Sequence, residues 1–337
     1  MKALVYTGPR QVVVNEVPVP EPKAGQVRVK VDYCGVCGSD TGIFLGTHPR
    51  AKAPLVLGHE FLGKLEADGQ RLKKGDRVVC FPLLSCGHCL ACRSGNSHVC
   101  NSLGLIGIDC DGGMAQYVCA DEDMLFKVPD GVSDKAAVVI EPLAVIVHSM
   151  HMAQLKPLDC VVVVGAGPIG ILTGIVLKHL GASKIFVSDV FEKRLDLARE
   201  LGFTAVNSAK EDFVQIVRDA TDGEGCDILF ECSGSEPAAL QMTDLTRVRG
   251  TICMTGVHKK PHAVNLQAIN FKEQTLVGTR VYTKEEFRQT VELAAVLQEE
   301  LEKVVSHIVP LEESPKVFDM IADPDCGTVK VVVDCRS

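Results

Sequence analysis

Residues 161–170 read VVVVGAGPIG, and this stretch decides the fold of the second half of the chain. Four β-branched residues predict a buried strand, and a helical pattern over residues 169–180 follows a glycine-rich turn. The turn has the spacing G-x-G-x-x-G, with Gly165, Gly167 and Gly170. A further predicted strand at residues 184–189 completes a βαβ unit. In such a unit the glycines let the backbone approach a pyrophosphate at the helix N-terminus, although a glycine turn without a ligand has the same appearance.

Asp189, at the end of the second strand, indicates which dinucleotide the unit binds. It lies about twenty positions beyond the last glycine, where a carboxylate accepts hydrogen bonds from the adenosine ribose hydroxyls and repels a 2′-phosphate. This position favours NAD over NADP. Arg194 is close enough in sequence to join the cofactor site, but an ordinary surface cation on the following helix would also explain it.

A change of pattern along the chain predicts two lobes in an α/β protein. Before Glu141 the pattern is β-rich, with apolar alternation over residues 27–33 and short apolar runs at 61–65 and 77–80. After Glu141, strands alternate with helices, which predicts right-handed βαβ units and a doubly wound, mostly parallel sheet. Residues 284–300, near the C-terminal end, are predicted to form one helix.

The composition is that of a globular protein that buries large cores, with 337 residues, 46% hydrophobic and 23% charged. The formal net charge of −8 argues against general attraction to nucleic acid or to an anionic membrane. The uncharged stretch 160–177 has the length of a membrane span, but its glycines and Pro168 favour a strand, a turn and a helix. No hydrophobic region of signal-peptide length precedes Arg10, so we expect neither a membrane segment nor a secretory leader.

Four of the 15 cysteines form a cluster with the spacing C-x2-C-x2-C-x7-C. They are Cys86, Cys89, Cys92 and Cys100. Without a secretory signal, clustered cysteines more often bind metal than form disulfides. Four thiolates close a tetrahedral zinc site with no open position, which is the mark of a structural site. A zinc-ribbon nucleic-acid module would need a basic face, and this stretch offers only Arg93 and two histidines.

A second set of metal-ligand residues is scattered: Cys37 in GVCGSD, His59 and Glu60 in LGHE, and Glu141 in IEPLAV. A catalytic zinc takes about three protein ligands and keeps an open position, and cysteine, histidine and carboxylate all serve as ligands. Each element alone is a weak signal, because a histidine beside a glutamate is more often a surface pair or a satisfied one.

Taken in order, these motifs resemble those of the zinc-dependent medium-chain dehydrogenases over essentially the whole chain. The resemblance also rests on DGGMAQY at residues 111–117 and on ECSG at residues 231–234. The glutamates of LGHE and EPLAV make the chain similar to the polyol branch, with its sorbitol, threonine, butanediol and hexitol-phosphate dehydrogenases. The sequences of the motifs CGSD and LGHEF are most similar to those of galactitol-phosphate and sugar-acid dehydrogenases in this branch.

The resemblance implies a groove-like (GroES-like) β-rich catalytic domain at residues 1–145, with a structural zinc lobe at residues 86–100. It implies a Rossmann NAD-binding domain at residues 146–282, and a C-terminal segment, residues 283–337, that completes the catalytic domain. One catalytic and one structural Zn²⁺ per chain and NAD would be the cofactors.

Carried over position by position, the resemblance makes Cys37, His59 and Glu60 the ligands of the catalytic zinc. Glu141 would be either a fourth ligand or the group that holds the zinc's water. Glu60 and Glu141 would therefore count among the catalytic residues.

The same comparison assigns supporting roles to residues around the metal and the cofactor. Ser39 would take the proton of the substrate alcohol, Asp40 would fix the tautomer of His59, and Ile169 would pack near the pyrophosphate turn. Many relatives place a histidine five positions after the zinc cysteine, whereas this chain has Gly42. The proton relay must therefore take another route, for which His48 is a candidate, although it also fits an ordinary loop histidine.

The implied reaction is NAD-dependent oxidation of a secondary alcohol in a polyol, sugar acid or polyol phosphate, with zinc lowering the pKa of the alcohol. Arg280 and Tyr282 could contact such a substrate, although a salt-bridged arginine and a packed tyrosine fit at least as well. Threonine or butanediol as substrate, ketone or aldehyde reduction as the physiological direction, and a non-enzymatic nucleotide-sensing or structural role are the alternatives.

The partner implied is a small-molecule substrate, with no nucleic acid and no membrane. The family implies a homodimer or homotetramer through the edge strand of the nucleotide-binding sheet, and the apolar stretch 275–281 suits such an edge. Because the chain has 15 cysteines and no secretory signal, we expect a reducing compartment without disulfides, and therefore a cytoplasmic enzyme.

Overall fold

The computed structural model describes residues 1–336, and the chain divides into two compact units. The first unit joins Met1–Pro142 to the chain from Thr283 onward, and the second is Leu143–Tyr282.

The N-terminal stretch of the first unit is rich in strands. They are β1 (Lys2–Gly8), β2 (Gln11–Glu16), β3 (Gln26–Gly35), β4 (Leu55–Val56), β5 (Glu60–Leu65), β6 (Arg77–Cys80), β7 (Leu83–Leu84), β8 (Gly104–Leu105), β9 (Tyr117–Asp121) and β10 (Leu125–Lys127). The helices are α1 (Gly38–Phe44), α2 (Leu90–Arg93), α3 (Asp134–Ala137) and α4 (Ile140–Ala153), the last continuing into the second unit.

The second unit is a six-stranded sheet with a helix after most strands. Its strands are β11 (Cys160–Val164), β12 (Lys184–Asp189), β13 (Thr204–Asn207), β14 (Cys226–Glu231), β15 (Thr246–Met254) and β16 (Thr275–Gly278). Its helices are α5 (Pro168–His179), α6 (Glu192–Glu200), α7 (Phe213–Asp219), α8 (Glu236–Leu245) and α9 (Leu266–Phe271). All five pairings are parallel, and the order β13-β12-β11-β14-β15-β16 is the 3-2-1-4-5-6 order of dinucleotide-binding sheets. The predicted parallel βαβ sheet is confirmed.

The β-branched run of β11 supplies the centre of this unit's core. Val162 is fully buried and packs in one cluster with Phe186, Leu229 and Ile252 from the other strands. Burying a side chain of this size contributes about 1.5–3 kcal/mol. The core therefore fixes the strand that carries the glycine turn.

The C-terminal stretch returns to the sheet of the first unit. It contains α10 (Lys284–Val296), α11 (Gln298–Val304), β17 (Val305–Pro310), α12 (Val317–Ala322) and β18 (Lys330–Asp334). The sheet has the order β10-β6-β5-β3-β18-β17, with β9 also paired to β3. In register, Val332 of β18 lies opposite Gly35 of β3, and Gly35 also lies opposite Glu60 of β5. The C-terminal strand is therefore two strands away from the predicted metal ligand Glu60.

The prediction of one helix over residues 284–300 is wrong, because two helices occupy this stretch. The first begins at an N-cap, Thr283, whose side chain accepts a hydrogen bond from the Glu286 N–H. It ends at Leu297, where φ is −100° and ψ is 12°. Leu297 is buried, so an apolar side chain stays in the core at the break. The sequence has no glycine or proline at this point that would predict the break.

Within residues 1–336, no helix combines the length and the apolar character that crossing a membrane requires. The uncharged stretch 160–177 forms β11, the glycine turn and most of α5, as its glycines indicate.

Candidate metal and nucleotide sites

Cys37, His59 and Glu60 come together in the first unit, and their ligand atoms all lie within 4.8 Å of one another. Cys37 is the N-cap residue of α1, and Glu60 opens β5 directly after His59. His59 and Glu60 are buried, while Cys37 is half-buried. The structure thus brings together residues from two separate sequence motifs, GVCGSD and LGHE.

The electrostatics and the donor set of this three-residue group suit a metal cation. Burial alone would lower the pKa of His59, but Cys37, Asp40 and Glu141 raise it well above its usual value. A cation is therefore favoured at this place. Thiolate, imidazole and carboxylate are ligands that zinc accepts, and three protein ligands would leave a coordination position open.

Asp40 and Ser39 stand in the first turn of α1, beside the group. Asp40 Oδ2 accepts a hydrogen bond of 2.8 Å from the Cys37 N–H, while its Oδ1 lies 3.9 Å from His59 Nδ1. The second distance exceeds a hydrogen bond, so Asp40 fixes the backbone of Cys37 and acts on His59 through charge. Burial raises the pKa of Asp40. Ser39 is half-buried, two residues after Cys37.

Glu141 lies in the first turn of α4 and is 8% exposed. Its carboxylate is outside the group of ligand atoms that lie within 4.8 Å, but its charge contributes to raising the pKa of His59. This position does not decide between the two predicted roles of Glu141, zinc ligand and holder of the zinc's water. Both stay predictions.

Gly42 and His48 shape the loop that follows α1. The Gly42 carbonyl accepts hydrogen bonds from the backbone N–H groups of Thr47 and His48. His48 Nδ1 accepts from the Arg50 and Ala51 N–H groups at 3.4 and 3.3 Å, and burial lowers the pKa of this histidine. The ring of His48 therefore has a local role in holding the loop.

The four clustered cysteines form a second, closed group in the first unit, with all four sulfurs within 4.8 Å of one another. Sulfur–sulfur distances are 3.5 Å for Cys89–Cys92 and 3.9 Å for both Cys89–Cys100 and Cys86–Cys92. Thiolates around one tetrahedral zinc at roughly 2.3 Å lie about 3.8 Å apart, so the group fits that ion. The Cys86 N–H donates to Cys100 Sγ and lowers the pKa of Cys100 to about 6, which favours the thiolate that binds metal.

Replacing Cys100 with serine is expected to remove one zinc ion per chain and to destabilise the lobe by at least about 3 kcal/mol, because metal binding supplies its folding energy. Metal analysis and limited proteolysis within residues 84–102 would measure this. The control is Cys110→Ser, an exposed cysteine outside the group. Equal zinc content in both variants would contradict a structural site.

The glycine turn of the second unit joins β11 to α5. Gly165 has φ +104°, and Gly167 is the N-cap of α5, followed by Pro168. A Cβ on Gly170 would lie 1.7 Å from the Gly165 carbonyl oxygen, so only glycine fits there. Ile169 is half-buried at the second position of the helix. The turn thus presents bare backbone at a helix N-terminus, as a pyrophosphate site requires.

Asp189, at the end of β12, is hydrogen-bonded to this turn. Its Oδ2 accepts from the Ala166 N–H at 2.8 Å, and its Oδ1 accepts from the N–H groups of Val190 and Phe191. Arg194 Nη1 lies 3.9 Å from Asp189 Oδ2, and its guanidinium stacks 5.0 Å above the Phe191 ring. Carboxylate oxygens have further lone pairs, so Asp189 can still accept from a ribose.

Two residues near the first metal group went unnoticed in the sequence. Lys330 of β18 is 2% exposed and forms an ion pair with Glu60 Oε2. Burial alone would lower the pKa of Lys330, but Glu60 and Cys37 raise it above its usual value, so this lysine stays charged. Gly35 lies opposite Glu60 in the sheet. A lysine within the apolar run VKVVV was the available signal for the first residue, and nothing local marks the second.

The two predicted substrate residues differ in accessibility. Tyr282 is fully buried, as expected of a packed tyrosine, whereas Arg280 is exposed.

Comparison with known protein families assigns a domain to each half of the chain. The family description "Alcohol dehydrogenase GroES-like domain" matches residues 23–130, and "Zinc-binding dehydrogenase" matches residues 168–296. The chain is 34% identical over 330 residues to the L-threonine 3-dehydrogenase of Proteus mirabilis, covering 95% of each protein. It is 34% identical over 342 residues to the 2-dehydro-3-deoxy-L-galactonate 5-dehydrogenase of Pseudoalteromonas atlantica, covering 100% of this chain and 99% of that one.

Solved structures also match almost the whole chain. The alcohol dehydrogenase rspB of Escherichia coli, solved with NADH, has a TM-score of 0.90 and 30% identity, covering 99% of each chain. A zinc-binding dehydrogenase of Sinorhizobium meliloti, bound to NADP, has a TM-score of 0.92 and 30% identity, covering 99% of this chain and 98% of that one. The chain therefore belongs to the zinc-dependent alcohol dehydrogenase family, as an NAD(P)-dependent oxidoreductase with a GroES-like domain and a Rossmann-type nucleotide-binding domain.

Proposed function

We propose that this dehydrogenase oxidises a secondary alcohol of a polyol, sugar acid or polyol phosphate, with NAD⁺ as the hydride acceptor. The observation that carries the proposal is the contrast between the two groups of metal ligands. Cys86, Cys89, Cys92 and Cys100 can close a site completely, whereas Cys37, His59 and Glu60 supply three ligands. A three-ligand site leaves room for a substrate oxygen.

In this proposal Cys37, His59 and Glu60 would hold a zinc ion, which would supply a Lewis acid to lower the pKa of the substrate alcohol. Ser39, half-buried in the first turn of α1, accepts the alcohol proton. Asp40 accepts a hydrogen bond from the Cys37 N–H and thereby fixes the backbone of this ligand. Glu141 either adds a ligand or holds water at the open position. Because Gly42 replaces the relay histidine, the proton leaves Ser39 by another route. His48, whose Nδ1 accepts hydrogen bonds within its own loop, stays a candidate for that route through its Nε2.

A carboxylate ligand in place of a second thiolate adds one oxygen donor to the site, which supports a substrate with neighbouring hydroxyl groups. The sugar-acid relative with 34% identity supports the same class. Threonine is the second candidate, because an L-threonine 3-dehydrogenase is equally similar.

Substrate identity is tested on zinc-loaded enzyme by following NADH absorbance with hexitols, hexitol phosphates, aldonic acids, butanediol and threonine. The proposal expects the highest kcat/KM with a sugar acid, polyol or polyol phosphate. Turnover of threonine alone would replace it with the second candidate. Turnover of none of them, by enzyme that holds zinc at the Cys37 group, would contradict the substrate class.

NAD is the cofactor in this proposal because Asp189 places a carboxylate at the turn. Asp189→Asn is expected to raise the kcat/KM ratio of NADP⁺ to NAD⁺ by at least about 10-fold, since it removes the charge that repels a 2′-phosphate. Steady-state kinetics with both cofactors measures this ratio. Asp196→Asn, an exposed aspartate paired with Arg199, is the control. An unchanged ratio in Asp189→Asn would refute this role.

The proposal includes a homo-oligomer in a reducing, cytoplasmic compartment. β16 is an edge strand of its sheet, and Leu276 on it is 45% exposed, with Phe271 just before it 76% exposed. An apolar edge of this kind supports pairing with a second copy, as a dimer or tetramer. None of the fifteen cysteines is in a disulfide, which supports a reducing compartment.

A further inference from the structure

His307 and Cys326 place a base beside a thiol in the C-terminal part of the first unit, and neither belongs to a group of metal ligands. His307 lies on β17, and Cys326 ends the short turn Pro324–Cys326 that precedes β18. The distance from His307 Nε2 to Cys326 Sγ is 4.0 Å, and both residues are half-buried. A base within reach of a partly accessible thiol is the pairing that activates nucleophilic cysteines.

An irregularity in the pairing of β17 with β18 sets the position of this histidine. In register, Val305 lies opposite Lys330, and His307 lies opposite the next residue of β18. Ser306 is therefore an extra residue without a strand partner. Its hydroxyl takes the place of a backbone partner, because it donates to the Lys330 carbonyl and accepts from the Val329 N–H, both at 3.0 Å. Bulges of this kind re-aim a neighbouring side chain.

The bonds of Ser306 also decide which nitrogen of His307 carries the proton. His307 Nδ1 lies 3.0 Å from Ser306 Oγ. Because the hydroxyl proton already points to the Lys330 carbonyl, the ring nitrogen must be the donor in this bond. The proton of the neutral ring is then on Nδ1, and the lone pair of Nε2 is left for the thiol of Cys326. His307 is thus oriented as a base by a third group.

We propose that Cys326 is a thiol modification site, with His307 as its general base and a low-molecular-weight disulfide as the co-reactant. His307 Nε2 takes the thiol proton, and the Cys326 thiolate attacks one sulfur of the small disulfide. The S–S bond of the small disulfide breaks as the bond from Cys326 to the attacked sulfur forms. The other half leaves as a thiolate and takes up the proton from His307, so each modification releases one small thiol. An excess of small thiol reverses this exchange.

Cys110 is the comparison that separates the histidine pairing from simple accessibility. Cys110 is exposed, whereas Cys326 is half-buried. Partial desolvation and the carboxylates of Asp111 and Asp109 raise the pKa of the Cys110 thiol, which disfavours its reactive form. If accessibility alone set the rate, Cys110 would react before Cys326. If the base sets it, the order is reversed.

The test is the rate at which glutathione disulfide modifies each thiol of the zinc-loaded enzyme at pH 7, resolved by mass spectrometry of peptides from quenched samples. We expect Cys326 to form the mixed disulfide at least about 10-fold faster than Cys110. This comparison needs no variant. An equal or faster reaction at Cys110, or no adduct at Cys326, would overturn the inference.

Variants of the two neighbours of Cys326 test the role of the base. His307→Asn keeps an amide donor for Ser306 but lacks the base at Nε2, so the rate at Cys326 should fall by at least about 10-fold while the rate at Cys110 stays unchanged. Ser306→Ala should lower the rate at Cys326 to a smaller extent, and Ser306→Thr, which retains the hydroxyl, should restore it.

The matched control is His179→Asn, which replaces an exposed histidine in the last turn of α5 and should leave both rates unchanged. Thermal unfolding of each variant shows whether it retains the wild-type fold. A folded His307→Asn enzyme in which Cys326 reacts at the wild-type rate would overturn the inference.

Discussion

Replacing Cys37 with alanine is expected to lower kcat/KM by at least about 1,000-fold, equivalent to about 4 kcal/mol of transition-state stabilisation. The reason is the loss of one of only three ligands in the Cys37, His59 and Glu60 group. The variant should also lose one zinc ion per chain and retain the other, because the four-cysteine group is a separate site. Steady-state kinetics and metal analysis of one sample measure both effects.

The matched control for this variant is Cys119→Ala. Cys119 is a half-buried cysteine on β9, which pairs with β3 in the first unit, and its thiol contacts the Pro20 carbonyl. This variant should keep two zinc ions and near wild-type activity. A Cys37→Ala enzyme with full activity would show that the group does not carry the chemistry.

Replacing Gly170 with alanine is expected to destabilise the second unit by about 3 kcal/mol or more and to abolish NADH binding. The new Cβ would meet the Gly165 carbonyl oxygen at 1.7 Å. That backbone cannot yield freely, because the Gly165 N–H donates to Ser188 O and the Ala166 N–H donates to Asp189. Overpacking against fixed backbone commonly costs 1–3 kcal/mol or more. Thermal unfolding and NADH titration measure the two losses.

Gly167→Ala provides a control in the same turn that separates stability from binding. No heavy atom lies within 4 Å of a Cβ built on Gly167, and its φ of −72° suits any residue. Its stability should stay within about 0.5 kcal/mol of wild type, while NADH affinity falls by about 10-fold or more, because a methyl group would occupy the approach of the pyrophosphate. If Gly167→Ala bound NADH normally, the pyrophosphate would not lie at this turn.

Local pattern was sufficient to predict the nucleotide-binding half of the fold. Strand β11, the glycine turn and helix α5 are contiguous in sequence, so periodicity and turn residues specify them together. The break between α10 and α11 was missed because it depends on where Leu297 packs, and packing has no short-range signal.

Only some of the residues at the metal site could be predicted from local sequence patterns. Cys37, His59 and Glu60 were selected because each stands in a recognisable motif. Lys330 was missed because its position depends on β18 pairing with β3, a contact between the two ends of the chain. Gly35 gains its meaning only from the register that sets it opposite Glu60. Long-range pairing is therefore the information that the sequence pattern lacked.

The claim of two distinct zinc sites is tested most directly by a crystal structure of the zinc-loaded protein with anomalous scattering measured at the zinc edge. Two anomalous peaks per chain are expected, one among the sulfurs of Cys86, Cys89, Cys92 and Cys100 and one among Cys37, His59 and Glu60. A single peak at the four cysteines, from protein that retains dehydrogenase activity, would contradict the account, because the reaction would then proceed without a metal at Cys37.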